Sequence, residues 1–366
     1  MMMKKYGLIF TVLMGLFLLI ACSGESNTGT AANSNDNTTN DSSTENKVAV
    51  DESSGEIDMV WYPNESGSDM KTARDEIGAM IEEATGKTVN HHLTTDYAIA
   101  IETIVNNNSA IAFMGAQGFI EAQNRNENLK PLVVTSGGSG TLDDAVYYSW
   151  LAVNLDEQDD FKVDGEFTLD TLHEKTMSFV SNSSTSGFVV PAADILGHYQ
   201  PKSDFADLSE TDLMEGGPLF SQVLFGNSHQ GSAVNLLNGR ADVAAFCDSC
   251  LENYVELVEG EANTVGAIYK VKDGAAEPFN TVPEAEFMIM HATPVLNAPF
   301  VVNHELLSEE EIQKLKDLMT SDEVANNEKI FVPADSGNSG LFFKSAEERF
   351  VEVENEWFDP IRELSN

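Results

Sequence analysis

Apolar and polar positions alternate along residues 57–125 in a pattern that predicts both strands and helices. Over residues 73–85 the apolar positions recur every three to four residues, which is the spacing of one helix face. Compact apolar runs without that spacing predict strands instead. We therefore expect strands over 57–62, 88–93 and 109–114, and helices over 73–85, 96–105 and 115–125. Strands that alternate with helices indicate an α/β domain with a largely parallel sheet.

The same alternation repeats after Trp150. It predicts strands over 176–180, 222–225, 241–246 and 294–302, and helices over 189–196, 231–238 and 308–319. From residue 57 onward the chain has about 310 residues, which is long for one core and suits two lobes. We expect lobe one to comprise residues 57–152 plus 292–366 and lobe two residues 153–291, with a hinge where the chain crosses between them.

The first 22 residues have the pattern of an export signal. Lys4 and Lys5 precede an apolar run over 7–21, which is short for a membrane span. The run ends in Leu19-Ile20-Ala21-Cys22, which matches the bacterial lipobox. This signal predicts that Cys22 becomes the lipidated first residue of the mature chain. A plain signal peptide and a short anchor helix are the alternatives.

Residues 23–56 predict a disordered tether. They are rich in Ser, Thr, Asn, Gly and acids and nearly free of large apolar side chains, so they cannot bury enough surface to fold. A lipidated cysteine followed by a tether indicates an exported protein that is held on the outer face of the cell membrane.

The charge of the chain excludes one class of partner. Sixty acidic residues against 20 basic ones give a formal net charge of −40. Nucleic-acid binding is excluded, because it depends on basic groups that neutralise phosphates. An anion site in this chain must instead rely on oriented neutral dipoles, since the long-range field is unfavourable.

Common catalytic, cofactor and metal motifs do not occur in the sequence. Thr85-Gly86-Lys87-Thr88 resembles the end of a P-loop, but the first glycine of that motif is replaced by Ile81. Neither GxSxG nor HExxH occurs. His91 and His92 are adjacent in a predicted strand and point to opposite faces, so they do not share a metal. The sequence therefore predicts neither an enzyme nor a bound cofactor or metal.

Cys247 and Cys250 form a single CxxC pair. Outside the cell this pair could be a local disulfide, two free thiols or half of a metal site. No second CxxC or suitably spaced histidine pair completes a zinc site. We expect a structural disulfide or inert thiols rather than redox catalysis.

Small polar residues interrupt the chain between a predicted strand and a predicted helix at Ser184-Thr185-Ser186-Gly187. A helix N-terminus presents unpaired N–H groups and a favourable dipole, and the hydroxyls add further donors. Gly187 would let the backbone approach an oxyanion closely. The segment therefore fits a small-anion site, although an ordinary helix N-cap has the same composition.

Five segments together resemble the substrate-binding proteins of ABC transporters for phosphonate, phosphite and phosphate. In chain order they are TDYAIAIETIVNN with IAFMGAQGFIEA, YYSWLAVN, MSFVSNSSTSGFVVPAADILG, FGNSHQGSAVNLLNGRADVAA and TPVLNAPFVVN. The resemblance implies the two-lobed type II periplasmic-binding-protein (Venus-flytrap) fold. It also implies a monomer that captures a phosphorus oxyanion and works with a separate permease and ATPase.

The resemblance also implies the ligand contacts. Tyr97 and Tyr147 would donate phenolic hydrogen bonds from lobe one. From lobe two, the donors would be Ser184, Thr185, Ser186 and His229.

One departure from the family pattern bears on the ligand. Family members that take aminoalkyl phosphonates carry acids that pair with the ammonium group, one of them in the segment that returns to lobe one. Here that segment is Leu296-Asn297-Ala298-Pro299, and Asp248 is the only acid expected nearby. The departure favours phosphite, phosphate or a simple alkylphosphonate over an amine-bearing ligand.

Three other functions compete with this interpretation. The same fold could bind another anion, such as sulfate or a carboxylate. A lipid-anchored sensor could present the captured anion to a receptor. A hydrolase could be built on Ser184 or Ser186 with His229, but no motif supplies an activated serine or a carboxylate that orients the histidine.

Overall fold

Two large β-sheets carry the architecture of residues 55–364, the part of the chain that this computed structural model describes. The strands are β1 (Glu56–Trp61), β2 (Thr88–Leu93), β3 (Ile111–Phe113), β4 (Leu129–Thr135), β5 (Val146–Asn154), β6 (Lys162–Val163), β7 (Glu166–Phe167), β8 (Thr176–Phe179), β9 (Gln222–Phe225), β10 (Val243–Cys247), β11 (Val255–Glu259), β12 (Ile268–Val271), β13 (Glu286–Leu296), β14 (Pro299–Asn303), β15 (Phe331–Pro333), β16 (Phe342–Lys344) and β17 (Phe350–Glu352). The helices are α1 (Lys71–Thr85), α2 (Tyr97–Val105), α3 (Ala116–Arg125), α4 (Val190–Tyr199), α5 (His229–Leu237), α6 (Glu309–Met319), α7 (Asp322–Ala325) and α8 (Asp359–Leu364).

The first sheet has the strand order β17-β4-β14-β3-β1-β2. Strands β2 and β3 both pair with β1 in parallel. Strand β14 lies antiparallel between β3 and β4, and β17 is antiparallel to β4. The sheet is therefore mixed rather than largely parallel. The difference arises because β14 enters the sheet from its opposite end, after the chain has passed through the second sheet.

The second sheet has the order β11-β12-β13-β5-β10-β8-β9. Its longest pairing joins β5 to β13, from Val146 opposite Leu296 to Asn154 opposite Phe287. These two strands carry the chain into the second sheet and back out again. Residues 152 and 292 both lie inside this one pairing rather than at its ends, so the lobe boundaries given above stay a prediction.

One strand that the sequence predicts is divided into two strands in the structure. The apolar run 294–302 is divided between the end of β13 and all of β14. Asn297 lies at the break, where its backbone N–H donates to the Ala145 carbonyl (3.1 Å). The apolar pattern did not reveal the break, because apolar residues continue on both sides of it, at Val295 and Leu296 and again from Ala298 onward.

Strand β1 shows how the first sheet is buried on both faces. Ile57, Met59 and Trp61 belong to one apolar cluster, and Val60 and Tyr62 belong to the cluster on the other face. A strand covered on both faces is expected to be a nearly continuous apolar run, as this one is. Each fully buried side chain of this kind contributes roughly 1.5–3 kcal/mol.

The predicted signal, Cys22 and nearly all of the predicted tether lie outside the described residues. Strand β1 begins at Glu56, one residue inside the predicted tether. Within residues 55–364, none of the helices combines the length and apolar character needed to cross a bilayer.

Candidate ligand-binding cavity

A cavity of about 280 Å³ lies where the ends of strands and the starts of helices from both sheets meet. Five of the predicted site residues line it: Tyr97, Tyr147, Ser184, Thr185 and His229. They come from α2, β5, the turn before α4, and α5. Residues separated by up to 132 positions in the chain are therefore brought to one cavity.

Within residues 55–364, three α-helices and one π-helical turn begin at this cavity. Tyr97 is the first residue of α2, Gly115 is the N-cap of α3, and His229 is the first residue of α5. Ser184 is the N-cap of a π-helical turn (Thr185–Val189) that continues into α4. Helix N-termini carry partial positive charge and unpaired N–H groups. The described residues that line the cavity include neither lysine nor arginine, so an anion bound here would be held by neutral dipoles.

The His229 side chain is held as a neutral hydrogen-bond donor. The backbone N–H of Cys247 donates to His229 Nδ1 (3.0 Å), so the ring hydrogen is carried by Nε2. Nε2 lies 3.5 Å from Ser184 Oγ. Burial lowers the pKa of His229 to about 3, which keeps the ring uncharged at neutral pH.

The two predicted tyrosines present their phenols at the cavity, Tyr97 as a buried side chain and Tyr147 as a partly buried one. Asn64 Nδ2 donates to the Tyr97 hydroxyl (2.6 Å), which leaves the Tyr97 O–H free to donate elsewhere. Burial raises the pKa of Tyr97 and that of Tyr147 above the usual phenol value. Both hydroxyls therefore remain protonated donors over the physiological pH range.

The hydroxyl segment before α4 faces the cavity with only some of its residues. Ser184 and Thr185 line the cavity, and Thr185 Oγ1 accepts from the Gln117 N–H in the first turn of α3 (2.9 Å). Ser186 does not line it. Its carbonyl accepts from Ser149 Oγ (2.7 Å), and its own Oγ is buried without a hydrogen-bond partner among the described residues.

Gly187 requires a correction. It is fully buried and does not line the cavity. A Cβ at this position would lie 2.3 Å from Val180 Cγ2 and 2.7 Å from Ser184 Oγ. The close approach that requires a glycine is therefore to the strand that precedes the segment, not to a ligand.

The turn after β1 contributes wall residues that sequence reasoning missed. Tyr62, Asn64 and Glu65 all line the cavity. Asn64 is the central link, because its Oδ1 accepts from the His229 N–H (3.0 Å) while its Nδ2 binds Tyr97. The turn follows the carboxyl end of a strand in the parallel part of the sheet, where α/β proteins place ligands. That position was the available signal, but Pro63 made the turn look like a simple strand break.

Acidic side chains are more numerous at the cavity than expected. Glu65, Glu252 and Glu348 line it together with Asp248, so the expectation that Asp248 is the only nearby acid is wrong. Burial raises the pKa of Asp248 to about 6 and that of Glu252 to about 7. Asp248 is held in place by the N–H of Tyr148 (2.8 Å) and that of Ser249 (2.7 Å).

Cys247 and Cys250 are joined by a disulfide, with their Cα atoms 5.4 Å apart. Both residues line the cavity. Their sulfurs and a His229 ring nitrogen lie within 4.8 Å of one another, a spacing that could suit a metal. A disulfide offers no thiolate ligand, so the cysteines act here as part of the cavity wall.

Two sheets joined by two long strands, with an anion-suited cavity between their edges, define a two-lobed periplasmic binding protein of type II. The family model for the phosphonate-binding periplasmic proteins of ABC transporters matches residues 59–358. The chain therefore belongs to the family of periplasmic phosphonate substrate-binding proteins of ABC transporters. Members of this family are binding components rather than enzymes, and they work outside the cytoplasm.

A curated relative supports the same family. The phosphate-import protein PhnD of Mycolicibacterium smegmatis is 26% identical over 213 residues, which cover 57% of this chain and 61% of the relative. The match therefore spans less than two thirds of the relative's length.

Two solved structures share the fold. A binding protein component of an ABC phosphonate transporter from Pseudomonas aeruginosa matches with a TM-score of 0.59 and 19% identity, over 85% of both chains. PhnD1 from Prochlorococcus marinus, solved in complex with methylphosphonate, matches with a TM-score of 0.59 and 15% identity, over 85% of this chain and 97% of that one. These structures confirm the two-lobed α/β fold predicted from the sequence.

Proposed function

We propose that the protein captures a phosphorus oxyanion, such as phosphite, phosphate or an alkylphosphonate, and delivers it to an ABC permease and its ATPase. The proposal is carried by one observation: the N-termini of three α-helices and one π-helical turn converge with several neutral donors on one cavity. The described residues that line this cavity include neither lysine nor arginine. A tetrahedral anion with several oxygens can use many such donors at once.

The proposed contacts are five side chains with a donor available at the cavity. Tyr97 and Tyr147 would donate from one side of the cavity, and Ser184, Thr185 and His229 Nε2–H from the other. Hydrogen bonds to an ionised group contribute more than neutral ones, about 1.5–3 kcal/mol each. Ser186 lies behind this layer. Its unpartnered hydroxyl supports a contact only if the loop shifts when ligand binds.

A ligand panel tests the proposal. Thermal unfolding would be followed with phosphite, phosphate, methylphosphonate, 2-aminoethylphosphonate and sulfate, and dissociation constants would be measured by calorimetry. A ligand present at about 100 times its dissociation constant adds roughly 2.7 kcal/mol of stability. We expect at least one phosphorus oxyanion to give this shift. Stabilisation by sulfate alone, or by none of the five, would remove the proposal.

The acids at the cavity favour a second ligand class, an amine-bearing phosphonate. Asp248 and Glu252 lie at the wall formed by the Cys247–Cys250 loop, where a cationic group could pair with them. The cavity also exceeds the volume of a bare oxyanion. Tighter binding of 2-aminoethylphosphonate than of methylphosphonate would favour this class, and the reverse order would favour the simpler ligands.

We also propose that the protein is a monomer held on the membrane through lipid on Cys22. The lipobox and the polar segment behind it support this anchor. Cys22→Ser should release the protein into the medium or leave its leader uncleaved, as seen by fractionation and mass spectrometry. Normal processing with an unchanged membrane fraction would contradict the anchor. Light scattering of the purified protein should give the mass of a single chain, and a mass of two or more chains would contradict the monomer.

A further inference from the structure

Glu65 presents an unused polar atom in the cavity wall. It follows β1 in the turn that also carries Asn64, and it lines the cavity. Its Oε2 is buried and has no hydrogen-bond partner in the described part of the chain. Three other buried side-chain atoms of residues 55–364 share this condition: Tyr62 Oη, Ser186 Oγ and Gln230 Oε1. Glu65 is the acid among them. A buried polar atom without a partner is costly, and it is expected where a ligand completes the site.

Within residues 55–364, no cation forms an ion pair with this carboxyl. The Arg74 guanidinium, from α1, donates to the backbone carbonyl of Glu65 and to that of Gly67 (2.8 Å). The charge of Arg74 lowers the pKa of Glu65, but by less than the hydrogen bond from the Asn64 side chain does. Arg74 thus fixes the turn rather than forming an ion pair with the Glu65 side chain.

The other titratable groups around Glu65 are mostly neutral. Phenols face it from four elements: Tyr62 after β1, Tyr97 of α2, Tyr147 of β5 and Tyr254 before β11. Uncharged His229 approaches from α5 through Asn64. Two acids lie beyond the phenols, Glu121 next to Tyr62 and Asp69 bonded to Tyr254 (2.8 Å), and both disfavour a further negative charge.

We propose that Glu65 binds the ligand as a neutral carboxylic acid, whose O–H donates a hydrogen bond to an oxygen of the bound oxyanion. The inference rests on the proposed function, since it assigns a role within the same cavity. A neutral acid supplies a donor, whereas an ionised carboxylate at this position would repel the anion. Burial is the largest effect on this group, and it raises the pKa of Glu65 to about 8.

This role gives binding a defined dependence on pH. Below about pH 8 the free protein already holds the proton that the complex needs. Above that pH Glu65 loses the proton, and binding of a fully ionised ligand must take one proton back from solution. The affinity should therefore fall about tenfold for each pH unit above about 8, since each such step is one proton of linkage.

The experiment is calorimetry with methylphosphonate between pH 6 and 9.5. At pH 9 the titration would be repeated in buffers with different ionisation enthalpies, which reports the number of protons taken up per ligand. The variant is Glu65→Gln, which keeps a neutral donor of similar shape but cannot ionise. The matched control is Glu210→Gln, because burial also raises the pKa of Glu210 although it lies outside the cavity lining.

The unmodified protein and Glu210→Gln should take up about one proton at pH 9 and lose affinity as the pH rises. Glu65→Gln should bind somewhat more weakly at pH 7, take up almost no proton at pH 9 and show a flat profile above about pH 8.5, where Asp248, Glu252 and the ligand are already ionised. Above about pH 8.5, a sloping profile in Glu65→Gln or a flat profile in the unmodified protein would overturn the inference and leave the oxyanion function standing. Failure of phosphite, phosphate and phosphonates to bind at any pH would overturn both.

Discussion

At the scale of single residues, Thr185 distinguishes a ligand site from a helix cap. Its Oγ1 already accepts from the Gln117 N–H (2.9 Å), so its O–H is left to donate into the cavity. Loss of the hydroxyl in Thr185→Ala should lower affinity for the best oxyanion about ten- to a hundredfold, because bonds to charged groups contribute about 1.5–3 kcal/mol. Loss of the contact with Gln117 should cost about 0.5–2 kcal/mol of stability.

Calorimetry and thermal unfolding separate these two effects. Thr185→Ser keeps the hydroxyl and serves as the control, with affinity near that of the unmodified protein. If Thr185→Ala changed only the stability and left the affinity intact, the segment would be an ordinary helix cap.

His229 should matter as a donor and not as a charge. Because burial lowers its pKa to about 3, its contribution to binding should stay constant between pH 5 and 8. His229→Ala should weaken oxyanion binding about as much as Thr185→Ala. His91→Ala is the control, since His91 accepts from Trp61 Nε1 (3.0 Å) and lies outside the cavity lining. Equal effects of the two histidine variants would contradict the assignment.

The sequence indicated which residues gather at the cavity better than it indicated their orientation. Tyr97, Thr185 and His229 fall at helix starts, which the chain pattern reveals. Asn64 was missed because its partners, Tyr97 and His229, are 33 and 165 residues away, and only the tertiary fold shows that it links them. Gly187 was misjudged because composition does not show which side of a turn faces a ligand.

At the scale of elements, the junction between β8 and α4 depends on a small residue. Gly187→Ala should destabilise the protein by about 1–3 kcal/mol, because the added methyl group overlaps Val180 in a packed region. Gly197→Ala, in α4, is the matched control. A Cβ there meets nothing within 4 Å, so alanine should be neutral or stabilising by up to about 1 kcal/mol. Thermal unfolding measures both. Equal stabilities would show that the junction can expand at no cost.

The loop that carries Cys247 and Cys250 should support the site through its backbone. The bond from the Cys247 N–H to His229 Nδ1 does not involve sulfur, and serine keeps that N–H. Replacing both cysteines by serine should therefore lower stability while affinity stays within about tenfold. Loss of all binding in a variant with native circular dichroism would show that the disulfide itself shapes the cavity.

Most elements were predictable from local signals, and the exceptions share a cause. Helix α6 has a capping box between Ser308 and Glu311, and the sequence revealed its start. The break at Asn297 and the antiparallel course of β14 were missed, because they depend on pairing with β3, β4 and β5. Apolar runs indicate where strands are buried but not which partner each strand takes.

At the scale of the whole molecule, direct hydrogen bonds join the cavity-facing edges of the two sheets. Thr185 binds Gln117, Ser183 Oγ donates to Glu121 (2.8 Å), and the His229 N–H binds Asn64 (3.0 Å). Each bond links a segment of the second sheet to a segment near the first sheet. The apolar pattern predicted two lobes, but these contacts depend on how the lobes fit together and lie beyond what a single sequence indicates.

These bonds border the cavity, so ligand entry should require them to separate and ligand binding should favour their return. We therefore expect small-angle scattering to show a smaller radius of gyration when the best oxyanion from the panel saturates the protein, as hinge closure requires.

The variant Ser183→Ala removes one of the joining bonds without altering a proposed ligand donor. It should show the same contraction with a modestly weaker affinity, because closure would retain fewer contacts between the lobes. Thr185→Ala with His229→Ala, at the same ligand concentration, should show little contraction, because that protein would remain largely unbound. An identical scattering profile with and without ligand, in a sample whose binding calorimetry has confirmed, would contradict closure and leave a rigid cavity as the alternative.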